Sequence, residues 1–264
     1  MIINTEIVDA YLNGEDMNKY SSLFIYRQAD RSIFQEPEKD KAEIVSKIKD
    51  EIINHICDFI PCNKRIWDTL FKDWQNDLDN IVLDLVVGCK EPNDAFVLKD
   101  QYGRHHMIFD LLCWEKNVGK ISLSKLSQNL LTHELFHVLI GKYYTDIETS
   151  EQFGNYINKL DAITFNEGFA HLVSYNQQEI DRVEWEKLED IYIQSRSKMK
   201  LALMETNPQV QEQYIYEANF GNYYDKYACM CGMIYLAKEW QLGGYARLKE
   251  VFDQGYHGFA KKCI

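Results

Sequence analysis

The segment Leu131-Thr132-His133-Glu134-Leu135-Phe136-His137-Val138-Leu139 sets two histidines four residues apart, with a glutamate directly after the first. On a helix, residues four apart stand one turn apart on the same face. His133 and His137 can therefore offer two imidazole nitrogens to one metal ion, and zinc prefers nitrogen ligands of this kind. Glu134 lies beside that face, where its carboxylate can take a proton from water instead of ligating the metal. A glutamate so placed serves first as general base and then as proton donor to a leaving amine.

The surroundings favour a metal over two ordinary core histidines. Leu130, Leu131, Leu135, Phe136, Val138, Leu139 and Ile140 make the segment apolar nearly all round, which predicts a buried helix. Two histidines and a glutamate in such a helix are costly without partners.

A catalytic zinc needs a third protein ligand and an open fourth position. A continuation H-x-x-G-x-x-H would require glycine and histidine where Ile140 and Tyr143 stand, so that class is excluded. The third ligand is expected from Asn166-Glu167-Gly168-Phe169-Ala170-His171, where Glu167 sits in an apolar run of Ile163, Phe165, Phe169, Leu172 and Val173. Ala170 and Gly141 are small enough to let two helices approach closely. Glu148 and Glu151 are rivals in a polar stretch that suggests a solvated surface. His171 follows Glu167 by four residues and faces the same way, either as a supporting partner, as a ligand in place of Glu167, or as an ordinary histidine.

These two motifs, His133-Glu134-Leu135-Phe136-His137 and Phe165-Asn166-Glu167-Gly168-Phe169-Ala170, resemble the gluzincin, or peptidase MA, group of zinc metallopeptidases. The resemblance covers about residues 80–240 in layout and is specific over the two motifs. It implies His133, His137 and Glu167 as zinc ligands and Glu134 as general base. It also implies a small sheet before the motif helix, whose edge strand binds extended substrate, and a late tyrosine that stabilises the oxyanion. Tyr227 and Tyr224, in Asn222-Tyr223-Tyr224-Asp225-Lys226-Tyr227, are the candidates. The sequence departs from the group in a longer gap between His137 and Glu167, and it lacks the G-x-M-E-N motif of the aminopeptidases. Trp114-Glu115-Lys116-Asn117 is a faint echo of that motif and fits a turn better.

The elements that must position these residues can be outlined from periodicity. Residues 1–35 suggest one or two short helices. A helix is expected to start near Glu36-Pro37-Glu38 and to continue through Ile44, Ile48, Ile52 and Ile56 until Pro61 ends it. Trp67, Leu70, Phe71 and Trp74 mark another. Ile81–Val87, β-branched and closed by Gly88, predicts a strand. Ala95–Leu98 and His106–Phe109 predict a hairpin with its turn near Gly103, beside which His105 and His106 fit a solvated turn. Helices follow at about 122–143, 155–176, 181–205, 209–218, 222–241 and 244–254. The expected fold is α+β and mostly helical, with a small antiparallel sheet, a zincin-type helix pair and C-terminal helices. Residues 1–78 form an N-terminal helical portion and residues 79–264 the catalytic region.

Composition narrows the class. The chain has 264 residues, a formal net charge of −12 and 17 tyrosines against 4 prolines. The acidic balance argues against nucleic acid or an anionic membrane surface as the main partner, and the resemblance implies a peptide or protein substrate. Acids lining the cleft would favour basic peptides. No run approaches the roughly 18 apolar residues of a membrane span, and the N-terminus lacks the features of a signal peptide. The seven cysteines (57, 62, 89, 113, 229, 231 and 263) are expected as reduced thiols of a cytoplasmic protein, with Cys229 and Cys231 in the core. The leading expectation is a zinc-dependent metallopeptidase. The rivals are a regulatory H-E-x-x-H protein acting on one partner such as a repressor, and a non-catalytic helical scaffold stabilised by metal.

Overall fold

The recurring isoleucines produce a helix, Ala42–Ile56, which buries Val45, Ile48 and Ile52 on one stripe. It starts later than the sequence suggested, because Glu38 is still extended and Lys39–Lys41 forms a single 3-10 turn. The computed structural model describes residues 1–28, 31–56, 59–91 and 93–264, and Cys57 lies outside them.

In chain order the strands are β1 (Ile2–Asn4), β2 (Arg27–Gln28), β3 (Arg31–Ser32), β4 (Val82–Val86), β5 (Ala95–Lys99) and β6 (His105–Asp110). The helices are α1 (Glu6–Leu12), α2 (Ala42–Ile56), α3 (Lys64–Leu70), α4 (Leu123–Tyr143), α5 (Ile147–Phe153), α6 (Tyr156–Ser174), α7 (Glu189–Met204), α8 (Pro208–Asn219), α9 (Tyr227–Asp253) and α10 (Phe259–Lys262). The chain divides into two units, Met1–Pro61 with Asp73–Leu135, and Cys62–Lys72 with Phe136–Ile264. The division falls inside α4, which runs unbroken through it.

The first unit holds a four-stranded sheet in the order β1-β4-β6-β5. The sheet is mixed, not antiparallel as expected. β4 runs parallel to both β1 and β6, and only the β5–β6 hairpin is antiparallel. After β4 the chain crosses to the outer edge, lays down β5 and turns back, so that β6 fills the place between them. All five residues of β4 are buried, as suits a central strand with parallel neighbours. The hairpin turn lies where the sequence put it. Gly103 takes φ 79°, and Asp100 Oδ1 accepts from the backbone N–H of Tyr102 and Arg104, each at 2.9 Å.

Two buried aspartates organise this sheet. Asp84 accepts from Asn4 Nδ2 at 2.7 Å and pairs with His106 Nδ1 at 2.6 Å, while Phe24 packs edge-on against the imidazole. His106 is thus a sheet residue tied to a carboxylate, not part of a solvated turn. Asp110 ends β6 and accepts from the backbone N–H groups of Cys89, Leu112 and Cys113 at 2.6, 2.9 and 3.0 Å. Burial pushes its carboxyl up to about 6 despite these donors.

In the second unit α6 and α9 pack backbone against backbone. A β-carbon on Gly232 would stand 2.2 Å from the Thr164 carbonyl oxygen and 3.0 Å from the Gly168 Cα. Phe136 and Phe169 stack at 5.8 Å, and Phe169 meets Phe165 and Phe252 edge-on. The two late helices expected at 222–241 and 244–254 are present and meet at Gly244, where φ is 65° and the backbone leaves the helical region; together they are α9. Asp161 fastens the C-terminus by accepting from the N–H groups of Gly258 and Ala260. Among the described residues no helix is long and apolar enough to cross a membrane. Cys89, Cys113, Cys229, Cys231 and Cys263 are free thiols, all buried, and Cys62 is buried as well.

Candidate metal centre

α4 carries the H-E-x-x-H residues as a continuous helix. Leu131, Thr132, Glu134, Leu135, Phe136, Val138, Leu139 and Ile140 are buried, whereas His133 and His137 are only half-buried. The two histidines therefore share the stripe of the helix left most open, as their four-residue spacing requires.

α6 starts at Asn155, whose side chain accepts from the backbone N–H of Asn158. From Leu160 to Ser174 every residue is buried except Glu167, which is half-buried. Close packing of α6 against α9 through Gly168 and Gly232 fixes the backbone beside this glutamate. The close approach expected of Gly141 has another use, since a β-carbon there would meet Glu148 Oε1 at 3.2 Å.

Glu167 stands between two imidazoles. His137 Nε2 lies 3.7 Å from its Oε1, and His171 Nε2 lies 3.6 Å from its Oε2. Ligands at zinc distances of 2.0–2.2 Å in a tetrahedron stand about 3.4 Å apart, so each imidazole stands from Glu167 at a spacing that suits sharing an ion with it better than a direct hydrogen bond. Asn219 Nδ2 at the end of α8 donates to Glu167 Oε1 at 3.0 Å, and the Cys229 thiol donates to Asn219 Oδ1 at 3.2 Å. His137 Nδ1 faces Asn166 Oδ1 at 2.8 Å, which leaves Nε2 toward Glu167. Within the second unit, Glu167 thus has an imidazole near each of its two oxygens, His137 near Oε1 and His171 near Oε2. A set of imidazoles and one carboxylate is the donor chemistry zinc prefers.

Glu151 was expected on a solvated surface. Instead its Oε1 accepts from Asn166 Nδ2 at 2.8 Å, and burial, aided by the charges of Glu167 and Glu148, pushes its carboxyl up to about 8. The sequence hid this because Glu151 lies in the polar middle of α5, residues 148–152, and its role comes from the approach to Asn166.

The tyrosines separate. The Tyr227 hydroxyl donates to the Tyr214 carbonyl at 3.1 Å and the residue is buried. Tyr224 is 45% exposed, and its hydroxyl lies 3.1 Å from that of Tyr175. Tyr223, passed over in the sequence, sets its ring edge-on against His171 at 5.2 Å.

A protein-family model described as "Putative zinc dependent peptidase (DUF5700)" matches residues 80–254. The chain belongs to this family. No curated protein and no solved structure matches it. The DUF5700 region takes in β4 to β6 and both helices that carry the motifs, and it runs to the end of α9. The zinc dependence in the family's description agrees with the His and Glu donors found here.

Proposed function

We propose that the protein is a zinc-dependent metallopeptidase of gluzincin type that hydrolyses peptide bonds. The observation that carries this reading is Glu167, the one half-buried position in an otherwise buried stretch of α6, with the Nε2 of His137 from the H-E-x-x-H helix 3.7 Å from its Oε1. His133, one turn before His137 on α4, completes the proposed ligand set of His133, His137 and Glu167. His171 faces the second oxygen of Glu167 and supports it.

Zinc, when bound, makes water acidic enough to act near neutrality and polarises a carbonyl. The remaining work falls to the chain. Glu134 takes the proton of the attacking water at its carboxylate and passes it to the leaving amine. Asn219 and Asn166 hold Glu167 and His137 in place through their amides. Tyr224 is the better choice for the oxyanion contact, because the residue is 45% exposed and its hydroxyl meets another hydroxyl, that of Tyr175, while Tyr227 is buried with its hydroxyl given to the Tyr214 carbonyl. The buried thiols of Cys89, Cys113, Cys229, Cys231 and Cys263 support action in the cytoplasm on a peptide or protein substrate.

The test is zinc content and hydrolysis of a mixed peptide library by the purified protein, before and after chelation. One zinc per chain and cleavage that chelation abolishes and zinc restores are expected. A folded protein that takes up no zinc, or cleavage indifferent to chelation, overturns the reading.

A further inference from the structure

Glu151, Asn166 and His137 come from three successive helices, α5, α6 and α4, and form one chain of hydrogen bonds. Asn166 Nδ2 stands 2.8 Å from Glu151 Oε1, and Asn166 Oδ1 stands 2.8 Å from His137 Nδ1. An asparagine amide has donors at one end and acceptors at the other, so what one end meets decides what the other offers. A neutral imidazole likewise carries one proton, and the partner of one nitrogen decides the state of the other.

We infer that Glu151 is a positioning residue that sets the tautomer of His137 through the Asn166 amide. The Glu151 oxygen draws the amide NH2 to its own side. That turns Asn166 Oδ1 toward His137, where it accepts a proton from Nδ1, and His137 Nε2 is left with its lone pair toward Glu167. With the amide reversed, its NH2 would face Nδ1, the ring proton would move to Nε2, and the nitrogen facing Glu167 could no longer ligate. Reversal would also set the amide oxygen against the ionised Glu151 carboxylate, so the test is made above about pH 8, where burial no longer keeps a proton on it. The inference rests on the proposed metal centre for its purpose, but the tautomer itself is a property of the metal-free chain.

The test reads the imidazole nitrogens of His137 by 15N NMR in the metal-free full-length protein, and zinc affinity by competition with a chromophoric chelator. The wild type is expected to hold the proton on Nδ1. Glu151→Leu is expected to lose that preference and to bind zinc about 10- to 100-fold more weakly. Adding Asn166→Asp to Glu151→Leu should restore the Nδ1–H form, because a carboxylate accepts whichever way it turns. Glu151→Met, also apolar and unbranched, replaces the leucine variant if that fails to fold. An Nδ1–H tautomer and zinc affinity unchanged in the apolar variant overturn the inference. A wild type that binds no zinc but shows this tautomer pattern defeats the proposed centre and leaves the orienting role standing.

Discussion

Gly232 on α9 faces Thr164 on α6 so closely that a β-carbon on the glycine would fall 2.2 Å from the threonine's carbonyl oxygen. The obstructing atom is backbone and cannot swing aside. Gly168, the residue after Glu167, lies in the same contact, with the Gly232 backbone 2.9 Å from its own would-be β-carbon. Gly232→Ala should therefore separate the helices and destabilise the protein by about 1–3 kcal/mol, the usual cost of overpacking. Thermal melting checks this, and an unchanged melting temperature would show that the two helices can part at no cost.

Glu134 is buried on α4 between the two histidines. Glu134→Gln preserves the shape of the side chain and removes its basicity. Zinc content should stay at the wild-type level while turnover falls by about 10²- to 10⁴-fold. Zinc analysis and peptide-hydrolysis rates on the same preparation check both halves. Full activity in the variant would remove Glu134 from the role of base.

Asn219 donates to Glu167 Oε1 and is itself engaged by the Cys229 thiol. Asn219→Ala removes the donor and frees the carboxylate to turn. Zinc affinity is expected to fall by about 10-fold or more, with little change in melting temperature of the metal-free protein. Chelator competition measures the first and calorimetry the second. Undiminished affinity would mean that α8 does not support the centre.

Much of the scaffold was legible before the structure, and the reasons are physical. The helix bearing His133 and His137 was expected to end near Tyr143 and does so, because its apolar residues and histidines follow helical spacing. The second motif helix was expected at 155–176 and is Tyr156–Ser174. The turn at Gly103 was marked by residues that only a few turn types accept. Strand direction was not legible, since a buried β-branched run announces a central strand without saying which way its neighbours point. At the site, Glu167 stood out as a lone acid in an apolar run. Glu151, Asn219 and Tyr223 did not, because each gains its role from a contact made only when α5, α8 and the Tyr-rich segment fold back on α6. The division of roles between Tyr224 and Tyr227 depends on who holds their hydroxyls, which spacing does not reveal.

Asp110 carries a pH dependence whose sign follows from its environment. Burial raises its folded pKa from 3.8 to about 6. Below about pH 4 both folded and unfolded chains hold the proton. Between about 4 and 6 the folded chain holds it while the unfolded chain has released it. The group's contribution to stability is thus present below about pH 4 and lost as pH rises through about 6, a change of about 3 kcal/mol. Urea unfolding of the wild type and Asp110→Asn at pH 4, 5 and 6 isolates this group by difference. The wild type should lose its advantage over the variant as pH rises, and a constant difference across that range would contradict the assignment.

The proposed centre holds zinc through His133, His137 and Glu167. A crystal of the zinc-loaded protein, measured on both sides of the zinc absorption edge, would locate the ion. One anomalous peak per chain is expected within about 2.2 Å of His137 Nε2 and of a Glu167 oxygen, with His133 completing the set. No peak in a zinc-loaded crystal, or a peak ligated by His171 with His137 left out, would contradict it.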